Sequence, residues 1–219
     1  MKNALLLFIY FVLTNAFFAC KNSTEKSEKS NTSSIIETTP IALDSNFVLE
    51  NIIALKSFEA ISTKYGAENI KKDSLMGSEN HCTVLYPGTA NQVILYWDQK
   101  EKYNQILSAV INCDSAGYKG KWCSKLGLQP GQKMDQIIAL NKKEFTISGF
   151  EWDYAGHVVS WEGGQLDFKK ITGRFSDFGK SDISAEEKLS IKGDTEFNVS
   201  LAAIKKMNPI LCELVVASK

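Results

Sequence analysis

The residues of this chain with chemistry to offer are two histidines, five cysteines and a scatter of carboxylates. Cys82 and His157 could in principle form a thiolate nucleophile, yet neither sits in a catalytic sequence context, so no nucleophilic site is read. Zinc is no better supported. There is no CxxC and no HxxxH, and His81 and Cys82, adjacent in a strand, point to opposite faces. GxGxxG, GxxxxGKS/T and GxSxG are all absent. If the protein is a hydrolase, Glu151, Asp153 and Glu162 are its candidates for general acid/base work. No catalytic residue, cofactor or metal is otherwise read from the chain. The most prominent local run is 149–157, in which Phe150, Trp152 and Tyr154 share one face of an expected strand, Glu151 and Asp153 the other, with Trp161 close by. An exposed aromatic face suits a sugar ring or a partner protein. The alternative is that Phe150, Trp152 and Trp161 are core.

The elements that must hold these groups read as α+β. Over 57–65, Phe58, Ile61 and Tyr65 fall at spacings of three and four ahead of Gly66, which predicts a short amphipathic helix with a glycine C-cap. Strands follow over 82–86 and 92–97 around the turn at 87–91, with a third over 105–111. After the stretch from Gly127 to Gly131 the order returns: a helix over 134–140, then strands over 145–154, 157–161 and 165–168. Each hairpin closes on tryptophan, Trp97 and Trp161. The chain therefore reads as tandem helix-plus-hairpin units at about 50–112 and 126–176. A partial third unit covers 200–217, with Ser200 as N-cap, a helix over 201–207, a stop at Asn208-Pro209 and a strand over 210–216. In that strand Ile210, Cys212, Leu214 and Val216 share a face, so Cys212 is expected to point inward. The expected architecture is an antiparallel sheet with helices on one face.

The first twenty residues carry a different message. Lys2, an apolar run from Ala4 to Leu13 and the small Ala19 ahead of Cys20 describe a secretory leader too short to span a bilayer. The segment resembles the lipobox of bacterial lipoproteins of the Bacteroidetes type, with Phe17 and Phe18 where a leucine and a small residue are usual. That resemblance implies removal of 1–19 and acylation of the Cys20 thiol, so that a membrane is held through N-terminal acyl chains. Residues 20–34, nearly all Lys, Asn, Ser, Thr and Glu after the cysteine, have nothing to bury and read as a flexible tether spanning roughly 20 Å. Lys21, rather than an aspartate, after the cysteine favours the outer membrane within the cell envelope. Four cysteines remain. An even number in a chain read as exported makes disulfides the expectation, with Cys113 to Cys123 across Gly117 and Gly120, and Cys82 to Cys212, as candidate pairs; buried free thiols are the alternative.

Residues 35–219 suffice for one α+β domain with a real core. The 25 basic and 25 acidic residues balance, which gives no electrostatic reason for a nucleic-acid partner. Over 126–166, Gly127, Gly131 and the helix at 134–140 with its following strands resemble the small envelope lipoproteins of the SmpA/OmlA type and the beta-lactamase inhibitor protein. The resemblance implies an architecture and little about activity. Asp73-Ser74-Leu75 and Asp114-Ser115-Ala116 resemble the O-glycosylation acceptor pattern of exported Bacteroidetes proteins, which requires loops. The sequence thus reads as a lipid-anchored envelope protein acting as a non-catalytic binding, scaffold or inhibitor-like module toward an envelope protein or glycan. An envelope hydrolase and a passive structural lipoprotein are the alternatives.

Overall fold

Apolar alternation in the middle of the chain closes into a sheet whose inner face is almost wholly apolar. The structure, a computed structural model, describes residues 43–74, 81–98 and 103–218; the leader, Cys20 and the tether lie outside the described residues. Two short helices lead in, α1 (Leu49–Ile53) and α2 (Phe58–Tyr65). The second starts where the Ser57 hydroxyl accepts from the Ala60 N–H at 3.2 Å and ends at Gly66, whose φ of 90° only glycine adopts readily. Four antiparallel strands follow: β1 (Ile70–Ser74), β2 (His81–Leu85), β3 (Val93–Trp97) and β4 (Ile106–Asn112). Val93, Leu95 and Trp97 face inward, as do Ala109 and Ile111, and the buried Thr83 hydroxyl accepts from the Trp97 indole N–H at 2.9 Å. Satisfying that hydroxyl makes its burial affordable.

The second half opens with α3 (Met134–Asn141), then β5 (Thr146–Ser148), β6 (Val158–Ser160) and β7 (Ile171–Ser176). It closes with α4 (Ala185–Ser190), β8 (Glu196–Asn198), α5 (Ala202–Met207) and β9 (Ile210–Ala217). Two sheets result. One has six strands in the order β1-β2-β3-β4-β9-β7; the other has three, β6-β5-β8. The α+β expectation holds. Helix α1 lies against β4 and β9, burying Leu49 and Ile52 completely, and Phe145 packs between Trp161 and Phe175 at centroid distances of 4.7 and 5.7 Å. Both expected units contain a helix and a hairpin, but the first hairpin enters the large sheet and the second the small one.

Several local expectations are corrected. The strand expected over 145–154 stops at Ser148, because the chain turns at Gly149, where a Cβ would lie 2.5 Å from the Gly193 carbonyl oxygen. Residues 165–168 form no strand. The strand lies instead at β7, hidden in the sequence because an inward position is Gly173, held open by the Glu213 carbonyl at 2.5 Å from a would-be Cβ. Leu201, not Ser200, is the N-cap of α5. Asp73-Ser74 lies in β1 rather than a loop, and Leu75 is outside the described residues. Along β9 Leu211, Cys212, Leu214 and Val216 are buried, two of them adjacent, because the pairing with β7 slips between Arg174 and Phe175 and passes over Cys212. Cys212 is buried, but through that bulge and not through strict alternation.

Neither candidate disulfide is present: Cys113, Cys123 and Cys212 are free thiols, and Cys82 is likewise in no disulfide. The topology explains this. Cys82 is on β2 and Cys212 on β9, with β3 and β4 between them, and three strand spacings amount to about 15 Å, twice the span a disulfide tolerates. Cys113 sits beside Cys212, its N–H donating to the Cys212 carbonyl at 2.8 Å, whereas Cys123 is tied to the segment before α1 through Phe47 and Leu49. Burial pushes the Cys212 thiol up to about 11 and raises Cys113 and Cys123 above their ordinary value. At pH 8 these groups are therefore protonated and sluggish. In a Cys20→Ser protein, four thiols should titrate in denaturant without reductant; in the native state the half-exposed Cys113 should react first, and Cys212 should speed up about tenfold per pH unit from 8 toward 11. Fewer than four thiols in denaturant would contradict this arrangement.

Candidate functional site

The large sheet turns a second face away from the core, and the alternation of each strand decides what stands there. Ile94 and Tyr96 of β3, Val110 and Asn112 of β4, Glu213 and Val215 of β9, and Thr172 and Arg174 of β7 occupy it. The register aligns one polar row across it. Asn112 pairs with Glu213, Glu213 with Arg174, and Arg174 with His157 through a single bridge beside the sheet. An amide, a carboxylate, a guanidinium and an imidazole thus stand side by side over three strand spacings, about 15 Å. The parallel row Ile94, Val110, Val215 and Thr172 is apolar except at its end.

At one end of the polar row lies a cavity of about 360 Å³, with Ile94 and Val110 on its floor and Gln92, Asn112, Asp114 and Tyr118 around it. Its wall is fixed to the turn before β3: the Asn91 side chain accepts from the Lys121 N–H and its carbonyl from the Trp122 indole, both at 2.9 Å. Asp114 and Ala116 form part of this wall, with the Asp114 carboxylate accepting from the Ala116 N–H at 2.7 Å. A larger cavity of about 660 Å³, near α1 and Ser218, shares no residue with the row.

At the other end stands an aromatic ledge. Tyr154 is 63% exposed and meets Trp152 and His157 edge-on, at 5.3 and 5.8 Å between ring centroids. The turn beneath is densely bonded. Ala155 donates to Trp152, Gly156 to Gly149, the Trp152 indole to Gly149, and the Ser148 hydroxyl binds the Tyr154 carbonyl while accepting from the His157 N–H at 3.0 Å. Gly156 cannot be replaced without moving the backbone: its φ is 69° and a Cβ would lie 2.2 Å from the Phe175 carbonyl oxygen. A large ring held outside the core on a rigid turn loses little entropy when something lands on it. His157 Nε2 lies 4.0 Å from Glu213 Oε1, too far for a hydrogen bond, and Nδ1 is buried without a partner. Leaving such an atom unsatisfied costs about 1–3 kcal/mol.

The aromatic set read from the sequence therefore divides. Phe150 and Trp161 are core, at 8% and 2% exposure, while Trp152 and Tyr154 form the ledge. The expected strand alternation across this run is replaced by a turn, in which Glu151 takes φ of 60° and pairs with Lys192 at 2.9 Å. Of the remaining acidic candidates, Asp153 is exposed on that same turn. Glu162 accepts from the Thr146 hydroxyl at 3.0 Å, and hydrogen bonds from Ser160 and Thr146 hold its carboxyl below the usual range, the wrong direction for a general acid. Cys82 and His157 lie toward opposite ends of the six-stranded sheet. Among the described residues no group of three or more His, Cys, Asp or Glu is placed to hold a metal, and no helix is long and apolar enough to cross a membrane. Sequence reasoning missed Asn112, Arg174 and Glu213, which only strand pairing brings together. One signal was available: Arg174 is the only arginine among the 25 basic residues.

Compared with known protein families, curated proteins and solved structures, the chain matches none.

The ledge and its support should respond oppositely to substitution. Gly156→Ala should cost about 2 kcal/mol or more, from a left-handed φ and a backbone collision, whereas Tyr154→Ala should change stability by no more than about 0.5 kcal/mol. Denaturant midpoints at unchanged slope provide the comparison, and the reverse order would place Tyr154 in the core.

Proposed function

We propose that this protein is a lipid-anchored component of the cell envelope, a non-catalytic module that binds a partner through the outer sheet face.

 The anchor rests on Lys2, the apolar run from Ala4 to Leu13 and the lipobox-like Cys20, with 20–34 as tether and the outer membrane as destination. The observation that carries the binding reading is Tyr154, a large ring 63% exposed on a turn that backbone bonds and Gly156 hold in one conformation. Rigid aromatic contact surface is what recognition uses and what a solvated loop lacks. Beside it, the row from His157 to Asn112 supplies hydrogen-bonding groups that orient an occupant.

Two measurements test the two halves. In the native host, an alkyne-bearing fatty acid should label the wild-type protein and leave Cys20→Ser unlabelled, with that variant shifted from the membrane to the soluble fraction; an unlabelled wild type removes the anchor. Against envelope extract, the full-length protein should retain specific material that Tyr154→Ala releases at unchanged melting temperature. Equal retention by both, or none by either, removes the binding face.

A further inference from the structure

We infer that the polar row and its aromatic ledge hold an oligosaccharide, a reading that rests on the binding role proposed above and names its ligand class. A sugar ring presents two kinds of surface at once. Its edges carry neighbouring hydroxyls that need paired donors and acceptors, and its faces carry C–H groups that pack on aromatic rings. The row matches the first. Asn112 offers an amide, Glu213 two acceptor oxygens and Arg174 a fork of donors, all planar groups suited to bidentate contact with adjacent hydroxyls. Tyr154 and Trp152 match the second.

Charge and geometry argue against the other occupants. Glu213 and Arg174 stand directly opposite each other in the register, so a strongly anionic or cationic ligand meets its like charge within one residue of its opposite. A neutral polar chain meets no such conflict. Peptides that add a strand use the bare backbone of a sheet edge, whereas this row lies on the sheet face, where side chains and not N–H groups are presented. The length fits a chain rather than a single ring: about 15 Å of row continues at Asn112 into the cavity of about 360 Å³, where Gln92, Asp114 and Tyr118 repeat the combination of amide, carboxylate and aromatic ring.

The probe is host envelope polysaccharide, digested with protease, delipidated and immobilised on beads, with a second portion oxidised by periodate, which cleaves the bond between carbons bearing neighbouring hydroxyls. Full-length protein should be retained on the untreated beads and not on the oxidised ones. Retention should fall at least tenfold for Glu213→Ala and for Tyr154→Ala, each with an unchanged melting temperature. If Glu213→Ala unfolds, Glu213→Gln, which keeps the shape and removes the charge, replaces it and should also weaken retention. The inference is overturned by equal retention on oxidised beads, by variants that bind as well as wild type, or by no retention at all. Beads carrying undigested envelope proteins separate the two failures: Tyr154-dependent capture there, with none on polysaccharide, rejects the sugar and leaves the binding face standing, while no capture on either rejects both.

Discussion

Strand β9 is bonded on both sides, to β4 through Ser108–Ala217 to Asn112–Glu213 and to β7 through Ile171–Val216 to Ser176–Ile210. Every feature of the outer face depends on that double pairing. The four strands before it form a meander by themselves, and β7 has no other partner in the large sheet. Insertion of β9 between them places Glu213 between Asn112 and Arg174, and it sets Leu214 and Val216 under α1 on the opposite side. One strand thus supplies both the inner wall of the core and the middle of the polar row. Because side chains alternate with a period of two, neither role can slip without the other.

The bulge in β9 shows how the strand serves both ends of its length. Between Leu211 and Leu214 the spacing of inward residues is three, and the slip opposite Arg174 and Phe175 absorbs the extra residue. Cys212 is buried there, its thiol donating to the Arg174 carbonyl at 3.2 Å. Bulges bend and twist a strand locally. This one lies where the row passes from β9 to β7, next to the bridge that brings in His157.

Much of the fold was legible in the sequence because its signals are local. Ser57 and Gly66 bracket α2, Val93, Leu95 and Trp97 mark β3 by strict alternation, and Pro209 precedes β9. What escaped was set by contacts between distant segments. β7 was hidden by Gly173, whose lack of a side chain makes sense only once the Glu213 carbonyl is seen against it. The run at 149–157 reads as a strand by alternation, yet it turns at Gly149, whose missing Cβ lets the Gly193 carbonyl approach while the Gly156 N–H closes back onto the Gly149 carbonyl. The aromatic half of the site could be seen as a cluster, since Trp152 and Tyr154 are close in sequence. The polar half could not, since Asn112, Arg174 and Glu213 become neighbours only through strand pairing.

The position of β9 in chain order also governs when the molecule can fold. Of the strands described it is made last, yet it fills an interior place in the sheet. While synthesis proceeds from the N-terminus, β4 and β7 wait with unbonded edges and the inner face lacks its final wall. The large sheet cannot close around a partly made chain. Closure therefore waits on β9, and until that strand arrives the earlier ones hold two bonding edges open for a single partner.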